Sequence, residues 1–445
     1  MSKHILLVLI MVFSTSSCAS AGPEIRQTPS SSSTKAEDQV KPIPVSSDEN
    51  RPTDEEGGLF YRLLAAPEYL WNGITYPMKK MSIFYEQVDL LERALDVFLN
   101  EERTGGIFPR FEFGGAIGGG IGLTAFHNNL FHNKKQVRAS YLFGIPDNHA
   151  GEFSFKDPAV FGSLFTFEAN LLGLDVDRGR FFPGGNKAPK KRNNGRTNFE
   201  LDEVSGDMKI GRQIVGDLRA AFQGRVFTAE GKGGKGRDIP STIPGVNSSL
   251  TALEFVPQLT YDSRDSPFRP SQGWLLDATF SYTNQVNGNE FQYIGYTAEV
   301  QRYFSVFRGN RVLLLRAYIA KLDSVNDRSI PFYELNQLDR NHGLRGYERG
   351  RWLDEGALLF NAEWRYPVWA QTEGSLFVDA GQVFNDYRDL NTRTFRVSIG
   401  TGLRFVTKEN FAFRVQVAGS EDGVELLLKG DVEFQRKRGT FLGGL

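Results

Sequence analysis

The chain has 445 residues and a formal charge of -1, with 52 Lys and Arg against 53 Asp and Glu. That balance, spread along the whole chain, argues against a nucleic-acid binder. Aromatic residues make up 13% and there are 47 Gly but only 5 Met, a bias towards strands and tight turns over helices.

Residues 1–21 read as a targeting segment, because Lys3 and His4 precede an apolar run over 5–13 that is too short to span a bilayer. Two processing patterns overlap there. Ala19-Ser20-Ala21 fits small-x-small cleavage. The sole cysteine, Cys18, follows Ser16-Ser17 as in a lipobox and is a candidate for lipidation, although Thr15 stands where an apolar residue is usual. Both readings take the chain out of the cytoplasm, and a single cysteine leaves no internal disulfide. Residues 22–57, with Ser30 to Ser33 and Pro42, Pro44 and Pro52, read as a disordered tether. In residues 58–107, Phe84, Val88, Leu91, Leu95 and Phe98 recur at helical spacing after a shorter helical pattern near 59–71. This amphipathic stripe packs on the rest of the protein or lies across the periplasmic mouth of a pore.

From Phe108 the period changes to two. Leu358, Phe360, Ala362, Trp364 and Tyr366 share one face, and Asn361, Glu363 and Arg365 the other. The same alternation sets Phe395, Val397, Ile399 and Leu403 against Arg396, Ser398 and Arg404, and Val424, Leu426 and Phe434 against Glu425 and Glu433. The polar faces carry too many full charges for a dry core, but they suit a watery lumen. Strands in lipid must close on themselves to satisfy their backbone groups. The expected fold over 108–445 is therefore an all-β transmembrane barrel. Working back from the C-terminus gives strands near 422–435, 409–419, 393–407, 373–385 and 355–367, then a long loop over 323–354. Before the loop lie strands near 311–322, 290–306, 272–284, 249–262, 215–229, 197–212, 160–178, 150–157 and 135–145. An even total requires residues 111–128 to form two short strands joined at Gly118, Gly119 and Gly120, giving about sixteen antiparallel strands with both ends periplasmic.

Other motifs carry no chemistry. GGAIGGGIG (114–122) has no helix after it and is not a dinucleotide loop, and GKGGKG (231–236) lacks the Ser or Thr of a phosphate loop. His127 and His132 read as solvated turn residues, not as metal ligands. No nucleophile elbow or paired catalytic carboxylates are visible, so neither an enzyme nor a cofactor or metal is expected. The basic stretches 187–196 and 231–236 fall in loops on the outer side, where Lys190, Lys191 and Arg192 are candidates for contact with lipopolysaccharide phosphates.

Five stretches occur in the order YDSRDSPFRPSQGW (261–274), GLRGYERG (343–350), LLFNAEWRYPV (358–368), SLFVDAGQVF (375–384) and RVSIGTGLRF (396–405). Together they resemble the bacterial surface antigen barrel of the BamA/TamA superfamily over most of 250–434. The resemblance implies that Arg345 sits in an extracellular loop folded back into the lumen, where it meets Glu363, Phe377 and Asp379. A guanidinium between carboxylates and an aromatic suits Arg better than Lys, Gly346 lets the backbone approach the wall, and Tyr347 completes the motif. This set is expected to lock the loop. The chain departs from the family at both ends: residues 22–107 leave no room for a POTRA module, and residues continue beyond Phe434, where relatives stop at a final aromatic. Two functions follow as expectations. One is an assembly or translocation barrel acting on unfolded outer-membrane or exported proteins in outer-membrane lipid. Its seam lies where the glycine-rich first strand, 111–117 with Gly118 to Gly120, meets the last strand ending at Phe434. The other is a passive channel or structural barrel with residues 58–104 as a plug.

Overall fold

The computed structural model describes residues 98–429 apart from 103, 114–117, 145–146, 161, 163, 189–194, 268, 307–310, 370–371 and 407–411. Cys18, the tether, the helix-spaced stripe up to Leu95, Lys190, Lys191, Arg192 and Phe434 lie outside the described residues.

Sixteen strands make one antiparallel ring. In chain order they are β1 (Gly105–Phe113), β2 (Gly119–Leu130), β3 (Lys135–Gly144), β4 (Asn148–Val160), β5 (Phe165–Phe181), β6 (Thr197–Val215), β7 (Leu218–Gly233) and β8 (Ser248–Asp262). They continue as β9 (Gly273–Gln285), β10 (Gln292–Ser305) and β11 (Val312–Ser324). Two short strands, β12 (Asn336–Leu338) and β13 (Trp352–Asp354), pair with each other apart from the ring. The ring resumes with β14 (Gly356–Trp369), β15 (Thr372–Phe384), β16 (Arg396–Val406), β17 (Ala412–Ser420) and β18 (Gly423–Lys429). Each strand pairs with its sequence neighbour, and β11 pairs with β14 across the 325–355 loop. The even number puts the start of β1 and the end of β18 at the same end of the ring. The loop opens at the other end.

Alternation decides the faces. Ile399 and Val424 are 65% and 70% exposed, while their neighbours Ser398 and Glu425 are 0% and 8% exposed. An apolar exterior around a charged interior inverts a soluble protein and matches a lipid-facing wall.

Several expectations are corrected. The expected helical segment 58–107 overruns the barrel: β1 starts at Gly105, and Phe98 lies in a turn whose carbonyl accepts the Ile107 N–H at 2.9 Å. A Cβ on Gly106 would stand 2.3 Å from that carbonyl oxygen, so the close approach depends on glycine. The first strand is therefore Gly105–Phe113 and not 111–117. Gly118 precedes β2 at a positive φ of 88°, and Gly119 and Gly120 open the strand, where Gly119 faces Phe113 and Gly120 lies between Glu112 and Gly144, one strand away from the seam. Their lack of side chains suits a turn. β7 runs on to Gly233, so half of GKGGKG is strand. Lys232 pairs with Glu230 at 3.2 Å and Lys235 with Asp177 at 3.1 Å. His127 Nδ1 accepts the Asn129 N–H at 3.2 Å, and His132 occupies the turn after β2.

Candidate functional site

The long loop enters the ring as a hairpin of β12 and β13 whose tip spans 339–351. Asp339 organises that tip. Its carboxylate, fully buried, accepts from His342 Nδ1 at 2.7 Å and from the backbone N–H groups of Asn341 and Gly350, each at 2.9 Å. Burial opposes its ionisation, but the His342 contact and these N–H donors outweigh burial and hold the carboxyl well below the usual range.

The folded tip presents Arg345 to the wall. Nη1 donates to Glu363 of β14 at 2.6 Å. Nη2 and Nε fork onto Asp379 of β15 at 2.7 and 3.0 Å, and the Arg345 backbone N–H adds a bond to Asp379 at 3.1 Å. The guanidinium carbon lies 3.4 Å from the centroid of the Phe377 ring. Asp379 also accepts from Asn361 at 2.7 Å and Ser398 at 3.0 Å, and Asn361 donates to the Gly343 carbonyl at 2.7 Å. Glu363 takes a second guanidinium, Arg365, at 2.8 Å. Two cations thus face two anions, all buried. Complete hydrogen bonding is the condition under which such a group is tolerated.

Gly346 has a steric reason. A Cβ there would stand 2.6 Å from Ser398 Cβ and 3.0 Å from the Gly419 carbonyl oxygen. The Ser420 hydroxyl donates to the Gly346 carbonyl at 2.6 Å. Gly400, opposite Phe377, leaves the slot that its ring fills, since a Cβ would lie 2.3 Å from that ring. Tyr347 is buried edge-on to Trp352 and donates to the Val397 carbonyl at 3.3 Å. Burial, with Glu421 and Asp422 nearby, pushes its hydroxyl up to about 12.

Arg345 is therefore brought together with Glu363, Phe377 and Asp379, while the adjoining Gly346 and Tyr347 pack on the wall and on Trp352. Sequence reasoning missed their supports Asn361, Arg365, Ser398 and Gly400, although each lies on the inward parity of a strand already assigned. It also missed two links from the tip to the last hairpin: Arg340 to Glu425 of β18 at 2.9 Å, and Arg351 to Asp422 at 2.6 Å. A third omission is the base of the loop. There Arg225 of β7 faces Glu203 of β6 at 2.7 Å, Glu254 of β8 at 3.4 Å and the loop's Glu334 at 3.5 Å, over the Phe227 ring at 4.0 Å. This group borders a lumenal cavity of about 310 Å3. Burial pushes the Glu334 carboxyl up to about 8; Arg225 opposes the rise, while Glu254 and Glu203 add to it.

The second feature is the seam. There Phe113 of β1 stands opposite Leu428 of β18. The Gly105 carbonyl and Ile107 N–H point away from β2, towards Asn100 and Phe98. Successive residues alternate, so Pro109 turns the same way, and proline has no N–H to donate. The centre of the seam edge therefore lacks one donor and keeps the Pro109 carbonyl as an acceptor.

Sequence comparison matches the Omp85 superfamily domain to residues 129–418, a span holding the whole Arg345 group and its supports. The chain belongs to the Omp85 superfamily. Among solved structures, BamA from Haemophilus ducreyi lacking POTRA domains 1–3 aligns at 14% identity with a TM-score of 0.53, covering 73% of this chain and 69% of that one. CdiB from Escherichia coli aligns at 13% identity and TM-score 0.50, covering 74% of this chain and 60% of that one. At such identities the likeness shows the Omp85 barrel fold alone. No curated protein sequence matches.

Proposed function

We propose that this Omp85 barrel resides in the bacterial outer membrane and inserts or exports other proteins by opening its β1/β18 seam. In this reading the strand ends at Gly105 and Lys429 face the periplasm and the 325–355 loop belongs to the outer side. Arg345, Gly346, Tyr347, Glu363, Phe377 and Asp379 lock the loop in the lumen, so that the wall stays rigid while the seam moves. The outward apolar rows meet outer-membrane lipid, and the stretch 187–196 contacts lipopolysaccharide phosphates. Neutralising Lys190, Lys191 and Arg192 would then weaken lipopolysaccharide binding.

The observation that carries the reading is the donor missing at Pro109 on the edge of β1 that meets β18 at Phe113 and Leu428. Such an edge can template an incoming strand by backbone pairing. The test is a folding assay in liposomes holding the purified protein, recording how fast an unfolded small outer-membrane barrel becomes heat-modifiable. Acceleration over empty liposomes supports the reading. It should vanish when Phe113→Cys and Leu428→Cys, introduced with Cys18→Ala, are oxidised to a disulfide, and return on reduction. No acceleration by correctly folded protein would favour the passive channel, which conductance recordings would then examine.

A further inference from the structure

The seam edge of β1 is occupied by the chain itself at the end remote from Phe113. Residues 98–100 fold back antiparallel on β1, with Leu99 opposite Gly106. The Asn100 N–H donates to the Gly105 carbonyl at 2.8 Å and the Ile107 N–H to the Phe98 carbonyl at 2.9 Å. The Gly105 N–H donates to Asn100 Oδ1 at 3.0 Å, and the Asn100 side chain donates to Thr104 Oγ1 at 3.0 Å. The Phe98 ring lies 5.7 Å from Phe108, which stacks at 5.6 Å on Phe126. A Cβ at Gly106 would meet the Phe98 carbonyl oxygen at 2.3 Å and Leu99 Cδ2 at 3.1 Å, so the missing side chain makes room for this segment.

This is the same edge of β1 that meets β18, at Phe113 opposite Leu428, and Leu99 occupies it at Gly106. We propose that Phe98–Asn100 is a built-in cap on the strand-binding edge of β1, occupying in cis the positions that a closing strand of alternating polarity would pair with. While the cap is in place, the Gly105 carbonyl and Ile107 N–H are taken and Pro109 offers an acceptor but no donor. Release of the cap exposes the Gly105 carbonyl and Ile107 N–H and lengthens the edge in one step. The cap rests on the geometry of β1. Its role in regulating access rests on the insertion reading above.

The probe is a synthetic peptide with the sequence of residues 423–436, GVELLLKGDVEFQR, carrying a photo-crosslinker and added to full-length protein in liposomes. Two variants release the cap differently: Gly106→Ala by collision with Phe98, and Asn100→Pro by removing the donor to Gly105. Hydrogen exchange at Ile107 reports release. The expected result is protection at Ile107 in the natural protein, loss of it in both variants, and peptide cross-linking to residues 105–113 raised about tenfold in each, the scale expected from a couple of backbone hydrogen bonds. Unchanged protection in both variants would mean that residues 98–100 do not hold the edge. Lost protection with unchanged cross-linking would mean that the cap and the strand do not compete, and either result overturns the proposal. If cross-linking rises but the protein never accelerates barrel folding, the cap stands and the insertion reading falls.

Discussion

At the tip of the long loop, a loop arginine, Arg345, is held by the wall carboxylates Glu363 and Asp379. At the base, a wall arginine, Arg225, faces the loop carboxylate Glu334 together with Glu203 and Glu254 from the wall. The tip is balanced, since Arg365 supplies the second cation and every charge finds short partners. The base sets three carboxylates around one guanidinium, with contacts lengthening from 2.7 to 3.5 Å. Equal numbers of opposite charges balance one another, whereas an excess of buried acid keeps one carboxyl poised to hold a proton. The same loop is thus fixed at one point and titratable at another.

The strongest way to break the comparison is Arg345→Ala, which leaves Glu363 and Asp379 facing each other with one cation fewer. A loss of about 3–5 kcal/mol is expected, seen as a lower heat-modification midpoint and new protease cleavage in 339–351. Arg345→Lys should recover little, because an ammonium cannot fork onto Asp379 and reach Glu363 while lying on Phe377. A variant as stable as the natural protein would show the tip to be decorative. Gly346→Ala tests close approach without touching charge: about 1–3 kcal/mol should be lost, with the Arg345 contacts intact.

The base sharpens the contrast through pH. With the Glu334 carboxyl raised from 4.5 to about 8, the folded protein binds a proton that the unfolded chain releases. Stability at the base is therefore greatest below the unfolded value and declines as pH rises towards about 8. Protection from hydrogen exchange over residues 325–338, corrected for the intrinsic rise of amide exchange with pH, should fall between pH 5 and 8 (about the span of the shift), while protection at the tip stays level. Glu334→Gln, still able to accept from Arg225, should flatten that dependence. Groups facing Glu334 are Arg225, Glu203, Glu254 and Tyr293, so an unaltered profile in the variant would assign the titration to one of them. The smallest effect belongs to Arg340→Ala. Its partly exposed pair with Glu425 should contribute about 0–1 kcal/mol and little salt-independent stability.

Much of the wall was legible. Alternation in ALLFNAEWRYPV placed Asn361, Glu363 and Arg365 on the inward face, where they lie, and fixed β14 and its neighbours within a few residues. The Arg345 group was legible because a motif resemblance named its partners and strand parity put them on the lumen side. Nothing comparable pointed to Arg225, because its acids come from β6, β8 and a loop 109 residues away. Parity says which way a side chain points, but not which residues on different strands stand level. The first strand was misplaced for a related reason. Glycines 118–120 read as the joint between two short strands, yet Gly119 and Gly120 open β2, while Gly106, which carried no signal, admits Leu99 against β1.

By itself the sequence determined the period of two, the apolar exterior and the even strand number, because each follows from local alternation, and its resemblance to a family named the residues around Arg345. Tertiary structure decided which side of β1 Pro109 faces, which residue of β18 meets Phe113, and where the loop's base meets the wall. Those depend on the register accumulated around a closed ring, where each strand's offset adds to the next and no local stretch of sequence records the sum.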